Sequence, residues 1–298
     1  MNFFLNKTLN FSLIIIALVM ISFLGNYCLI KSSKLKDKKK SIVFIGDSNV
    51  ETSIDDRLIK NSINLAVSGD SYLYTYIKLR KLIKDNKEEV DTILVSFSPH
   101  NIFENDKITS KSKIFSKFRN HYPVMEQDEL QLLFKISFKT VIYSVLSLPI
   151  EFLKNCIKKI TNEPIFYGKY LPINQNQVFK FVNKLNASKL NKFNEYSNIE
   201  ILYLNKIIDL LKKEDKIIMF INTPKRVEIL KHRSYQVNKY QALYDSLYFS
   251  IPLIDLSEFQ LDITDYADLI HLNKNGAKKV SNHINNVGLK NLINKSSK

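Results

Sequence analysis

The sequence predicts an α/β fold built on a central parallel sheet, with a helical insertion and one N-terminal transmembrane helix. Short apolar runs at 42–45, 63–67 and 91–97 each end in a polar turn. A segment able to form a helix follows the first two, which is the rhythm of parallel strands joined by crossover helices. The rhythm resumes at 216–221 after a long stretch that lacks it. Ahead of all of these, residues 11–30 form a nearly continuous apolar run with no charge. As a helix that run extends roughly 30 Å, the thickness of a bilayer core.

Residues 1–10 read as a short tail, 11–30 as the anchor and 31–40 as a polar linker. A cleaved signal peptide is the competing reading of the apolar run, but no small-x-small cleavage pattern closes it. Lys7 flanks one side, and Lys31, Lys34, Lys36, Lys38, Lys39 and Lys40 flank the other. By the positive-inside count alone, the body of the protein would be cytoplasmic.

The main domain is expected over 41–290, followed by a tail at 291–298. Residues 42–45 are read as its first buried strand, 51–60 as a helix and 63–67 as a second strand. A helix over 72–85 places Leu73, Tyr76, Ile77, Leu79 and Leu82 on one face. A third strand at 91–97 ends in Ser98-Pro99-His100-Asn101. Residues 103–195 read as a largely helical insertion or lid. Within it, 132–160 is rich in Leu, Ile, Val and Phe but interrupted by Lys135, Lys139, Pro149 and Glu151. That pattern suits two helices forming an amphipathic lid or a membrane-facing hairpin rather than a second span. Helices are expected at 175–194 and 198–213 and a buried strand at 216–221. A mainly helical segment then runs to 248, a last strand lies at 251–255, a loop at 262–270, and a terminal helix at 275–286.

With 298 residues and a hydrophobic fraction of 45%, the chain has enough apolar material for a substantial core. The two cysteines, Cys28 and Cys156, exclude a disulfide scaffold and stand in no redox or metal-ligand motif. The histidines are scattered, so no metal site is implied, and no glycine-rich phosphate or dinucleotide loop occurs. No cofactor is expected. The formal net charge of +15 reflects lysine spread along the chain, or attraction to an anionic membrane or wall polymer. Zinc-finger spacing, a basic helix and aromatic-basic modules are all missing from the sequence, so nucleic acid is not an expected partner.

The chemistry gathers at strand ends. A serine hydroxyl needs a base within hydrogen-bond reach and a carboxylate to orient that base. Ser48 follows the first strand and is the candidate nucleophile, His271 the base, and Asp268 its partner. Oxyanion donors are expected from the backbone N–H groups of Ser48 and Gly69 and the side-chain amide of Asn101. Asp47 is expected to hold the nucleophile turn. His100 either lines the pocket or is a structural histidine. Each residue also has a plainer reading: Asp47 and Ser48 can cap a helix, Gly69 can permit a left-handed turn, and His271 can sit in a surface loop.

Gly46-Asp47-Ser48 after a strand resembles the first block of the SGNH hydrolase family, the GDSL-like lipases and esterases. Asn64-Leu65-Ala66-Val67-Ser68-Gly69 resembles its glycine block. Asp268-Leu269-Ile270-His271-Leu272-Asn273, followed by Gly276-Ala277, resembles the block that carries its Asp and His. The third block departs: the family has Gly-x-Asn-Asp where this chain has Ser98-Pro99-His100-Asn101. The resemblance implies a flavodoxin-like three-layer α/β/α sandwich, with Ser48, His271 and Asp268 as nucleophile, base and orienting acid.

With its membrane anchor the chain is similar to the family's membrane-anchored branch, which includes the teichoic-acid D-alanyl transfer protein and the alginate and peptidoglycan O-acetylation proteins. That likeness implies a single-pass protein of a bacterial cell envelope with an extracytoplasmic catalytic domain, opposite to the placement the lysine count favours. It implies serine-dependent acyl or acetyl transfer from an acylated donor to a glycan or wall polymer, with a multi-span membrane acyltransferase as a possible partner. Two alternatives stay open: an esterase or deacylase of acylated glycans or lipids, and a non-catalytic assembly or glycan-binding protein. The oligomeric state is not legible.

Overall fold

Five short apolar runs pair in parallel: β1 (Ile42–Ile45), β2 (Ser62–Asn64), β3 (Thr92–Ser96), β4 (Ile217–Asn222) and β5 (Leu253–Asp255). Their order across the sheet is β2-β1-β3-β4-β5. In this doubly wound order the connections leave β1 in opposite directions, which opens a crevice at the carboxyl ends of β1 and β3. The computed structural model describes residues 2–35, 40–103, 110–180 and 195–296.

Among the described residues the α-helices are, in chain order, α1 (Asn2–Lys31), α2 (Ser48–Ser53), α3 (Tyr72–Asn86), α4 (Pro99–Ile102), α5 (Lys111–His121), α6 (Gln127–Leu146), α7 (Leu148–Ile160), α8 (Asn198–Lys213), α9 (Val227–His232), α10 (Ser234–Leu243), α11 (Lys274–Val287) and α12 (Leu289–Ser296). The chain divides into two units, Met1–Lys34 with Asp106–Phe166, and Leu35–Asn105 with Tyr167–Lys298. The first contains α1 and α5–α7, and the second contains the sheet.

The sheet unit is an α/β/α sandwich whose strands are apolar on both faces, as a parallel sheet requires. Phe44, Leu94, Ile221 and Ile254 face a core completed by Val50 and Ile54 of α2, Val280 and Ile284 of α11, and Leu292 of α12. Val43, Ile45, Ile93, Val95 and Phe220 are fully buried on the alternate positions. On that side α3 packs on α8, and α8 lies against β4. Each fully buried aliphatic or aromatic side chain contributes about 1.5–3 kcal/mol relative to an exposed one.

Several boundaries differ from the sequence reading for local reasons. The helix expected over 51–60 instead starts at Ser48 and stops at Ser53, with a 3-10 turn at Asp56–Leu58. Its early start follows from Asp47, whose carboxylate accepts from the Asn49 N–H at 3.1 Å and caps it. β2 ends at Asn64 rather than 67, although the chain keeps donating to β1 beyond it, with Leu65 N to Phe44 O at 2.8 Å, and the Asn64 side chain bonds locally. Its Oδ1 accepts from Ala66 N at 3.0 Å, and its Nδ2 donates to Val50 O and Ile54 O at 2.9 and 2.8 Å. The loop expected over 262–270 contains a 3-10 turn, Ile263–Asp265. Gly288 turns the chain at φ 77°, and α12 follows where a tail was expected. Of the helix expected over 175–194, residues 175–177 are irregular and 178–180 helical, while 181–194 lie outside the described residues.

In the other unit, α1 is long and apolar enough over Asn6–Lys31 to cross a membrane. Pro149 does not interrupt a helix; it sits in the first turn of α7, where a missing N–H is tolerated. The carboxylates of Glu126, Asp128 and Glu129 form the one acidic trio close enough for a shared ion among the described residues. It is accounted for as the cap of α6, with Glu126 N donating to Glu129 Oε2 at 2.7 Å.

Candidate active site

The site starts from the turn that ends β1. Gly46 has φ 151°, and a Cβ placed on it would lie 2.3 Å from Ser96 Cβ of β3. Only glycine lets the two strand ends approach this closely while the chain turns. Asp47 then caps α2, and Ser48 is the first residue of that helix. The serine therefore stands at the carboxyl edge of the sheet, at the point where the strand order reverses.

His271 arrives from the far end of the chain, in the segment before α11. Asn273 fixes that segment. Its Oδ1 caps α11 by accepting from Asn275 N at 2.9 Å and Gly276 N at 3.3 Å. Its Nδ2 donates to Thr264 O at 2.6 Å. Ala267 N donates to His271 O at 2.9 Å and closes a tight loop. A Cβ on Gly276 would lie 2.3 Å from Asp265 O, so glycine is what lets the helix start close under this loop.

Within the loop, Asp268 Oδ1 accepts from the N–H groups of Ile270 and His271, both at 2.8 Å. Oδ2 is left to accept from His271 Nδ1 at 2.8 Å. His271 Nε2 lies 2.9 Å from Ser48 Oγ. The serine, imidazole and carboxylate thus form one continuous hydrogen-bonded chain. With Nδ1–H donating its hydrogen bond to Asp268, Nε2 presents a lone pair to the serine hydroxyl. The side chains of His271 and Asp268 are about one-fifth exposed, at 20% and 22%, so the chain reaches solvent. Burial by itself pushes the Asp268 carboxyl up, but the hydrogen bond and charge of His271 and the two backbone N–H groups outweigh it. The carboxyl is held below its usual range.

The end of β3 supplies a second cluster. Asp47 Oδ2 lies 2.6 Å from His100 Nε2 and accepts from Asn101 Nδ2 at 3.1 Å. Ser98 Oγ lies 2.8 Å from His100 Nδ1 and donates to Asn101 Oδ1 at 2.8 Å. Asn49 Nδ2 lies 3.3 Å from His100 Nε2. Asp47 is 1% exposed and Asn101 6%. Asn101, expected at the oxyanion, has its amide directed to Asp47, and a second proton on Nδ2 remains for another acceptor. Asp47 links the turn of β1 to the turn of β3. The sequence reading did not include Asn49 and Ser98; a polar residue beside each turn was their only signal.

Gly69 lies in the turn after β2, with φ 74°. That turn runs beside β1, with Val67 N donating to Gly46 O at 3.0 Å. Glu51 of α2 reaches across to it, accepting from Ser68 N at 2.9 Å and from the Ser68 hydroxyl. Beneath it, Lys78 of α3 and Asp70 form an ion pair at 2.6 Å with both side chains fully buried. Lys78 Nζ also donates to Leu65 O at 2.9 Å. The glycine turn is therefore tied to α2 on one side and to α3 on the other.

No family model and no curated protein matches the chain. Among solved structures it is similar to a protein from Streptococcus pneumonia described provisionally as a platelet activating factor, with 13% identity and a TM-score of 0.42. That overlay covers 94% of this chain and 98% of the other. It is also similar to a provisionally assigned acylhydrolase from Bacteroides fragilis, with 11% identity, a TM-score of 0.39, and coverage of 89% and 91%. Overlays this loose, at identities this low, assign neither a fold family nor an activity.

Proposed function

We propose that this chain is a membrane-anchored serine acyltransferase of the SGNH hydrolase type, acting on a polysaccharide or wall polymer at a bacterial cell surface. The observation that carries the reading is the unbroken hydrogen-bonded chain from Ser48 through His271 to Asp268 at the carboxyl edge of a parallel sheet. The blocks that resemble the family, at 46–48, 64–69 and 268–277, supply these residues and the glycine turn. The apolar helix α1 precedes the domain by a short connection, which favours an acceptor at a membrane over a freely diffusing ester.

The reaction has two halves. Ser48 Oγ attacks the acyl carbonyl of the donor while its proton passes to His271 Nε2. Asp268 keeps the Nδ1 proton in place and stabilises the imidazolium. The carbonyl oxygen becomes an oxyanion, received by the backbone N–H groups of Ser48 and Gly69 and by the remaining amide proton of Asn101. Collapse breaks the bond to the leaving oxygen, which takes the proton from His271. An acceptor hydroxyl then gives its proton to His271 and attacks the acyl-serine. The acyl group moves to the acceptor, and the proton returns to Ser48. Water in place of the sugar hydroxyl gives an esterase from the same residues. A multi-span acyltransferase that delivers the donor is the expected partner, and the catalytic domain is placed outside the cytoplasm.

The test is active-site labelling of the full chain in detergent with a serine-directed phosphonate. The adduct is expected at Ser48 in the wild type and is expected to be missing in Ser48→Ala, with the circular dichroism spectrum unchanged. Wild-type labelling of the Ala variant would overturn the assignment. With an activated acetyl ester as donor, acetate appearing on an added glycan rather than in water identifies transfer.

A further inference from the structure

The unit formed by α1 and α5–α7 buries polar groups beside apolar ones such as Ile30, Phe118, Leu133 and Val141, and leaves a broad apolar face of α6 and α7 exposed. On α7, Leu148, Glu151 and Asn155 are buried, while Ile150, Leu153, Ile157 and Ile160 are 59–80% exposed. Glu151 and Asn155 join a buried set of polar contacts. Asn155 Nδ2 donates to Asn26 Oδ1 of α1 at 2.6 Å, and Asn26 Nδ2 donates to Arg119 O at 2.9 Å. Arg119 pairs with Glu151 at 3.2 Å, with both side chains largely buried. On α6, Thr140, Val141 and Ser144 are buried while Phe138, Ile142, Tyr143 and Leu146 are exposed. A surface facing water is built the other way round, and an apolar patch this extended marks a contact with something apolar. Intramembrane polar groups, by contrast, face the bundle interior and pair there.

Charge sets the depth. Residues 140–150 carry none, and the bend between α6 and α7, at 59°, lies within them. Lys135 and Lys139 stand before this stretch, and Lys154, Lys158 and Lys159 after it. Their long stems can follow the apolar surface while the ammonium groups reach phosphate. α7 runs beside α1 in the same direction: Gly25 meets Phe152, Asn26 meets Asn155, and Cys28, Leu29 and Ser32 share a groove with Cys156, Lys159 and Ile160. The start of α7 is therefore level with the last turns of the apolar run in α1.

We propose that the α6–α7 bend is embedded in the bilayer leaflet around the carboxyl end of α1, with its apolar face against acyl chains and its lysines against the phosphates. The chain would then hold the membrane by a span and a wedge. The occupant is lipid because the exposed face continues the outward apolar surface of α1 and is bounded by lysines on both sides. A contact with a second protein would need neither feature.

The chain contains no tryptophan, so Leu146→Trp, Leu153→Trp and Leu13→Trp each place a single reporter at an exposed position. The full chain is reconstituted in phosphatidylglycerol-containing vesicles with brominated acyl chains. Emission from Leu146→Trp and Leu153→Trp is expected to be quenched by bromine, as for Leu13→Trp, and to resist aqueous acrylamide. Quenching by acrylamide but not bromine at 146 and 153 would put the bend in water and overturn the proposal. Quenching by neither would mean that a second copy or another protein covers the face, which overturns it equally. Loss of bromine quenching at Leu13→Trp as well would remove the span on which the proposal rests.

Discussion

The Asp268 carboxylate is the residue on which the proposed chemistry turns, because two backbone N–H groups fix one oxygen and leave the other for His271. Asp268→Asn keeps the shape but presents an amide where Nδ1–H must donate. The ring then settles in the tautomer that puts a proton, not a lone pair, toward Ser48. Acyl transfer by this variant is expected to fall by roughly 10⁴-fold, measured as the acylation rate with an activated ester. The same carboxylate carries a pH signature. Its folded-state pKa is depressed, so its contribution to stability is present above its ordinary range near about 4 and is lost as pH falls through the lower folded value. Urea unfolding of the full chain in detergent is therefore expected to lose stability on acidification from pH ~6 to ~3 more steeply for the wild type than for Asp268→Asn.

At the scale of elements, the site is a meeting of three turns held by buried polar contacts. Gly46 sets the distance between the ends of β1 and β3. Gly46→Ala would force a Cβ into Ser96 at 2.3 Å and hold an alanine at φ 151°. A loss of about 3 kcal/mol is expected in urea unfolding, with acylation reduced in whatever folds. Much of this level was legible in the sequence. The runs at β1, β3 and β4 are apolar on both faces, and each ends in residues that cannot continue a buried strand. Ser48 stood out because a short motif placed it just past a strand end, and Asp268 and His271 because a second motif set them three residues apart ahead of the last predicted helix. The Asn64 side-chain bonds to Val50 and Ile54 were not legible, since these partners are known only once the fold has formed. The pairing of His100 with Asp47 was hidden for the same reason: 53 residues separate them. The polarity of α7 was half-visible. Its two faces could be read, but which one pointed inward depended on Asn26 and Arg119.

At the scale of the molecule, the two units differ in how much apolar surface they leave exposed. The sheet unit is stabilised by apolar side chains withdrawn from water, such as Phe44, Leu94 and Ile221. The helical unit buries Asn26, Glu151 and Asn155 alongside Ile30, Leu133 and Val141 and leaves much of its apolar surface outward. Calorimetry of the full chain in detergent is expected to resolve two transitions. One should respond to detergent chain length and not to Gly46→Ala, and the other should respond in the opposite way. A single transition shifted by both changes would show that the units unfold as one.

The Ser48–His271 contact joins residues 223 positions apart, and this gives the proposed chemistry an order in time. A nascent chain carries its serine for most of its synthesis with no base beside it. On the proposed reading the hydroxyl would become reactive only when the segment before α11 closes over the edge of the sheet. A chain that stalls between these positions would then be chemically silent rather than a stray esterase. Reactivity with a phosphonate therefore doubles as an assay for completed folding.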